Sequence, residues 1–311
     1  MTGQGAPVAA VDCGTNSTRL LVVDAAGEVL DRRMAVTRLG QGVDATRRLD
    51  PAAVERTIAV LRGYRQVMDR LGVGRVRLVA TSAARDAKNA ESFFEQAAAV
   101  TGTRPELLSG SDEGRLSFAG ATARLPAGWD RSEPVLVVDI GGGSTELAVG
   151  APAGAPPAAV SVDVGCVRVT ERLLGGDPPS AAQLDEARRA VAEELGRARR
   201  SLPAPGAGGQ LVGLAGTVST LSMLASGTAV YERRLVHHTT LNRRDVELWL
   251  ERLAGEPAAD RARRPGMVEG RADVIVGGVL ILAEVMAAFG QSRCLVSEDD
   301  ILDGLAASLL A

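Results

Sequence analysis

The sequence predicts two α/β domains of similar topology with a cleft between them, and three observations lead there. The first is a repeat: Val11 to Leu20, VDCGTNSTRL, returns as Val138 to Leu147, VDIGGGSTEL, offset by 127 at every position with no gap. Each copy follows a short apolar run (Val8 to Ala10, Val135 to Val137) and leads into another (Leu20 to Val23, Leu147 to Val149). This is the pattern of strand, small-residue turn, strand. The second is the alternation of strand-like and helix-like segments after each copy. The third is size: 311 residues, 46% hydrophobic, suffice for two ordinary cores.

Taken in order, Val8 to Val11, Arg19 to Asp24 and Glu28 to Val36 read as strands, with Ala25-Ala26-Gly27 as a turn. Asp50-Pro51 is an N-cap followed by proline at the first helical position, and Val54, Ile58, Leu61, Met68 and Leu71 share one face of the helix that follows. Val76 to Ala80 is a strand, and Glu91 to Val100 and Arg115 to Ala123 are helices. Leu125 to Pro134, rich in Pro, Gly and charge, connects the domains. Residues 1–127 then form the first domain and 128–297 the second, with the terminal helix 298–311 packing back on the first.

In the second half, Val135 to Val138 opens a new sheet, Ala151 to Ala159 is a hairpin tip, and Ala159 to Val164 is a strand. Ser180-x-x-Gln183 is a capping box for a helix through about Arg200. Pro203 to Gly209 reads as a surface loop, and Leu211 to Leu214 is a strand entering Ala215-Gly216-Thr217. Helices follow at Arg244 to Leu253 and Gly270 to Phe289. In the second of these, the apolar stretch Val274 to Val285 carries Gly277 and Gly278 for close packing. Cys294 to Val296 is the last strand. Ser297, Glu298, Asp299 and Asp300 are expected as an acidic first turn of a final helix, Ile301 to Leu310.

Composition excludes several functions. A net charge of −3 gives no reason to expect a nucleic-acid binder. Lys88 is the one lysine, and Asp86-Ala87-Lys88-Asn89 cannot supply a Walker P-loop. Cys13, Cys166 and Cys294 are far apart and the two histidines, His237 and His238, are adjacent, so neither a disulfide framework nor a zinc site is expected, and a cytoplasmic location fits. Met1 to Pro7 lacks the regions of a signal peptide, and the longest apolar stretch is too short to span a membrane.

The repeat itself points to phosphate. Small-residue turns let backbone N–H groups approach an anion, and Thr15, Ser17, Ser144 and Thr145 add hydroxyl donors to the N–H groups of Gly14 and of Gly141, Gly142 and Gly143. Asp12 and Asp139 end their strands; each either caps its own turn or holds Mg²⁺ beside substrate phosphates. Glu146, two residues past Ser144, is placed to join that metal shell. Ser109 to Arg115 is an acidic entry to a helix, so Glu113 serves either the helix dipole or a water molecule in the cleft. Arg85, in Thr81-Ser82-Ala83-Ala84-Arg85-Asp86, is either a surface arginine or a group that compensates phosphoryl charge. The pairs Arg233-Arg234, Arg243-Arg244 and Arg263-Arg264 read as solvated helix faces, with a polyanion path as the alternative.

At these residues the chain resembles the exopolyphosphatase/guanosine pentaphosphate phosphohydrolase (Ppx/GppA) family over nearly its whole length. The matching pieces are Asp12 to Leu20, Ala80 to Ala87, Leu108 to Arg115, Val138 to Leu147, Gly165 to Glu171, Gly213 to Thr217 and Arg271 to Ile275. The resemblance implies an actin/sugar kinase/Hsp70-like (ribonuclease H-like) fold with an interdomain active site. It implies Glu113 as general base, Arg85 on the terminal phosphoryl group, and Asn16 and Arg19 within the first phosphate turn. Mg²⁺, or alternatively Mn²⁺, is expected on Asp139, Glu146 and Asp12. The reaction implied is removal of terminal phosphate from inorganic polyphosphate. Hydrolysis of pppGpp, or a weakly catalytic sensor of polyphosphate or (p)ppGpp, stands as the alternative, with nucleotide contact expected at Gly216-Thr217. The likeness is to the short two-domain form, without the C-terminal helical region of longer members, which implies short chains as substrate; a homodimer is the family expectation. Ser111 replaces one of the acids that the family carries before Gly114-Arg115, while Glu113 is kept.

Overall fold

The two copies of the repeat become the central hairpins of two separate sheets. The computed structural model describes residues 5–205 and 210–311, so Gly206 to Gly209 of the expected surface loop lie outside the described residues. The first half contains β1 (Val8–Cys13), β2 (Ser17–Val23), β3 (Val29–Val36), α1 (Val43–Thr46), α2 (Pro51–Arg70) and β4 (Arg75–Ala80), then α3 (Ser82–Asp86), α4 (Ala90–Thr101), β5 (Glu106–Leu107) and α5 (Gly110–Ala123). The second half begins with β6 (Val135–Ile140), β7 (Thr145–Gly150), β8 (Ala158–Val162), α6 (Cys166–Leu173), α7 (Ala181–Ser201), β9 (Leu211–Leu214) and α8 (Ala215–Ser226). It ends with α9 (Arg233–Val236), β10 (Thr240–Asn242), α10 (Arg243–Ala254), α11 (Ala258–Ala262), α12 (Ile275–Ala288), β11 (Arg293–Val296) and α13 (Ile301–Leu310).

The first sheet runs β3-β2-β1-β4-β5 and the second β10-β11-β9-β6-β7-β8. In both, the first three strands are an antiparallel meander and the next strand lies parallel to the first. The strands β8-β7-β6-β9-β11 thus repeat the first sheet, and β10 is added at the edge. This is the actin/sugar kinase/Hsp70-like arrangement expected from the sequence.

Helices cover both faces of each sheet, which is why β1 and β6 are buried along their whole length and read as continuous apolar runs. One face of the first sheet packs on α2 and α4 through Ile58, Leu61, Tyr64, Phe93 and Ala97. Its other face packs on α13, where Val8, Ala10, Leu21 and Val79 meet Ile301, Leu302 and Leu305. In the second sheet, one face carries α7, α8, α10 and α12, and the other receives Phe118 and Ala121 of α5.

The caps follow the sequence signals. Asp50 accepts from Ala52 N and Ala53 N, and Ser180 and Gln183 form the capping box. In α12, a Cβ on Gly277 would stand 2.9 Å from Cys166 O, and one on Gly278 would stand 2.3 Å from Thr217 Oγ1, so the two glycines do permit close packing. Helices α6 and α8 were not expected: Gly165 and Leu214 precede them without a side-chain cap, so no start signal marks them. Ser297 to Asp299 are not the first turn of α13. That helix starts at Ile301 with Asp300 as N-cap and Asp303 in a capping box. Among the described residues no helix is long and apolar enough to cross a membrane.

α5 and α13 cross where Gly120 faces Gly304. A Cβ on Gly120 would lie 1.9 Å from the carbonyl oxygen of Asp300, and one on Gly304 would lie 2.2 Å from that of Leu116. Backbone cannot yield as a side-chain tip does. Gly120→Ala is therefore expected to cost about 1–3 kcal/mol, read as a lowered thermal midpoint; an unchanged midpoint would mean the crossing is looser than its geometry.

Candidate active site

The 127-residue offset of the repeat is preserved in space. Across β1–β2, Asp12 pairs with Arg19; across β6–β7, Asp139 pairs with Glu146. Each turn closes on the same hydrogen bond, Gly14 N to Ser17 O and Gly141 N to Ser144 O, both 3.0 Å. The turns meet face to face. A Cβ on Gly142 would stand 2.9 Å from Thr15 Cβ, and one on Gly143 would stand 2.5 Å from Ser82 Oγ. None of Gly14, Gly141, Gly142 or Gly143 has a positive φ, so at Gly142 and Gly143 it is the approach of the opposite turn that demands glycine.

Between the turns lies a cleft of about 600 Å³, lined by Asp12, Gly14, Thr15, Asn16, Ser17, Arg19, Glu113, Asp139, Gly141, Gly142, Gly143 and Ser144. Three expected site residues are not among its lining. Thr145 turns its hydroxyl away, donating to Val164 O at 2.5 Å. Arg85 is paired with Glu113, and Glu146 lies on the other terminal nitrogen of the same guanidinium. Gly216 lines the cleft beside Arg271, whereas Thr217 is buried against Gly278. Of the paired arginines only Arg233 reaches the cleft.

Asp12 is buried, and its Oδ2 accepts from Arg19 Nε at 3.0 Å and Nη2 at 2.6 Å. Its Oδ1 is buried with no partner among the described residues. Asp139 Oδ2 accepts from Ser117 Oγ at 2.7 Å. Burial raises the pKa of both carboxyls, and Arg19 pulls both down. No three His, Cys, Asp or Glu side chains among the described residues gather into a preformed cation site. Mg²⁺, however, typically takes one or two carboxylates and completes its shell with water and substrate phosphates. The orphaned Oδ1 of Asp12 and the nearby Asp139 fit that donor set.

Glu113 sits in the first turn of α5, where Ser109 caps the helix and Asp112 answers the dipole. Its Oε2 accepts from Arg85 Nη1 at 2.7 Å; Arg85, in the last turn of α3, also donates to Leu108 O at 3.0 Å and holds Nη2 3.9 Å from Glu146 Oε1. Glu146 Oε1 accepts from Ser161 Oγ at 2.7 Å. Burial pushes Glu113 up to about 7 against the pull of Arg85. Glu146 is driven well above the carboxylate range by burial and then by the charges of Glu113 and Asp139. Both carboxyls are thus held above the ordinary carboxylate range, the outer one with Arg85 opposing the effect of burial.

Sequence reasoning gave no role to two buried arginines. Arg168 of α6 donates Nε to Gly143 O at 2.7 Å and Nη1 to Asp44 at 2.7 Å, and pairs with Asp86, tying the second turn to the first domain. Arg271 lines the cleft with Nε unpartnered among the described residues, and burial lowers its pKa. An arginine set among apolar neighbours, as in Cys166-Val167-Arg168-Val169, was the available signal for the first. The second lay in the quoted segment Arg271 to Ile275.

Fold and site together define a class: two-domain proteins of the actin-like type built around a phosphate-sized cleft. Within it, the chain belongs to the Ppx/GppA phosphatase family, whose model matches residues 20–311. It is 43% identical to Exopolyphosphatase 2 of Mycobacterium tuberculosis, covering 97% of this chain and 98% of that protein. Among solved structures, an exopolyphosphatase-like protein is similar over 98% of both chains at 35% identity, with a TM-score of 0.88. The Aquifex aeolicus Ppx/GppA family member is similar over 98% of both chains at 30% identity, with a TM-score of 0.80. Membership makes the chain a hydrolase of phosphoric anhydrides.

Proposed function

We propose that this protein is an exopolyphosphatase that releases orthophosphate from the end of inorganic polyphosphate, short chains in particular. The observation that carries the reading is the Arg85–Glu113 pair at a cleft lined by both turns. Water attacks the terminal phosphorus in line, Glu113 takes the water's proton, and the bridging P–O bond breaks to leave a chain shorter by one phosphate. Arg85 holds Oε2 of Glu113, which leaves Oε1 for the water. The same guanidinium compensates charge on the terminal phosphoryl group. N–H groups of Thr15 to Ser17 and Gly142 to Ser144, with the hydroxyls of Thr15, Ser17 and Ser144 and the side chains of Asn16 and Arg19, hold the adjoining phosphates. Mg²⁺ on Asp12 and Asp139, with Glu146 in the surrounding shell, would neutralise phosphate charge when bound. Most of the rate enhancement is then positioning and electrostatics.

A second reading, hydrolysis of pppGpp, is favoured by one observation: the cleft extends from the turns to Met34, Tyr231 and Val268, which offer apolar surface to a nucleoside. Phosphate release with Mg²⁺ from tripolyphosphate, long polyphosphate and pppGpp, measured side by side, tests both. Release from polyphosphate supports the first reading. Release from pppGpp alone moves the assignment to the second, and binding without release from any of them makes the protein a sensor. A cytoplasmic location is part of the proposal, supported by three buried, unpaired cysteines. The homodimer is carried over from the family and is read by light scattering.

A further inference from the structure

We infer that Asp300, the N-cap of α13, positions Arg19 for the phosphate chain, so that the last helix completes the substrate site. This rests on the reading of the cleft just given. Arg19 has five N–H groups. Both contacts with Asp12, through Nε and Nη2, fall on the single oxygen Oδ2. Two bonds to one oxygen act as a pivot about which the guanidinium can swing. A third bond stops the swing: Arg19 Nη1 donates to Asp300 Oδ2 at 2.5 Å. Two N–H groups, one on each terminal nitrogen, are left for a ligand in the cleft that Arg19 lines.

Asp300 is itself held rigidly. Its Oδ1 accepts from Leu302 N at 2.9 Å, and its N donates to Asp303 Oδ2 at 3.0 Å. Its carbonyl is pressed against Gly120 of α5. Asp303, fixed in turn by Arg32 and Arg124, completes the frame. With Oδ1 spent on the cap, Oδ2 is the oxygen left to face the cleft. A carboxylate there opposes a polyanion unless it serves a cation, and Arg19 is that cation.

The test separates cap from position. Asparagine caps a helix as well as aspartate does, so Asp300→Asn keeps the cap and removes the charged acceptor. The expected result is a near-wild-type thermal midpoint, KM for tripolyphosphate raised about five- to tenfold, the size of one misaligned charged hydrogen bond, and kcat within about twofold. In an Arg19→Ala background the same change should raise KM no further, since coupled residues are not additive. Asp50→Ala, which removes the cap of α2 and touches nothing in the cleft, should lower the midpoint and leave KM as it was. An unchanged or lowered KM in Asp300→Asn would overturn the inference, as would an equal rise in both backgrounds. If the wild-type chain hydrolyses neither tripolyphosphate nor pppGpp, the reading of the cleft fails first and this inference falls with it.

Discussion

Glu113→Gln is expected to lower kcat for phosphate release by about 10²-fold or more while KM stays near wild type, the size and signature of a lost general base. The amide keeps the length of the side chain, its place in the capped first turn of α5 and an oxygen for Arg85, but it cannot take a proton from water. The pH profile gives the second, independent reading. Burial lifts Glu113 to about 7, and the base must be ionised to act. Activity of the wild-type chain should therefore fall as pH drops through about 7, tenfold per unit well below it, and level off above. The residual rate of the Gln variant should lose this acid limb. Single-turnover release measured from pH 5.5 to 9 in both proteins decides the matter. A variant with wild-type turnover, or one that keeps the limb near pH 7, would give the base to another group.

What could be read from the sequence is what local rules control. The repeat marked both hairpins, because strand, tight turn and strand are set by neighbours in the chain, and the 127-residue offset makes Asp12 opposite Arg19 the counterpart of Asp139 opposite Glu146. Caps at Asp50 and Ser180 were equally local. What escaped is what tertiary packing controls. Helix α8 begins without a side-chain cap, and the first N–H groups of α6 donate instead to Gly141 O and Gly142 O of the second turn. The reason for glycine at 142 and 143 is Thr15 and Ser82, far away in sequence and in the other half of the chain. Thr145, in register with a cleft residue, spends its hydroxyl on Val164 instead. The acids at Asp299 and Asp300 looked like dipole compensation but meet Arg124 and Arg19, more than a hundred residues upstream. Charge pairs of that separation leave no periodic trace.

Arg85→Met should be the most damaging change to the site after Glu113→Gln, with two effects of different origin. The first is loss of the cation proposed to compensate charge on the transferring phosphoryl group, worth about 10²–10³ in kcat by analogy with removal of a single oxyanion donor. The second is a displaced pH profile. Arg85 is the charge that opposes burial at Glu113, so without it the carboxyl titrates higher, and the acid limb moves to higher pH than in the wild-type chain. Stability follows the same sign. A carboxyl whose folded pKa is raised stabilises the fold while protonated and loses that contribution as pH rises through the folded value. Glu113 and Glu146 lie together without Arg85, so the thermal midpoint of the variant should fall more steeply than wild type between about pH 5 and 8. Arg85→Lys keeps the charge but not the fork that reaches Glu113, Leu108 and Glu146 at once, and is expected to restore the pH profile more fully than the rate. If Arg85→Met lowers kcat equally at every pH, then Arg85 acts on the substrate alone, and the elevated titration of Glu113 does not depend on it.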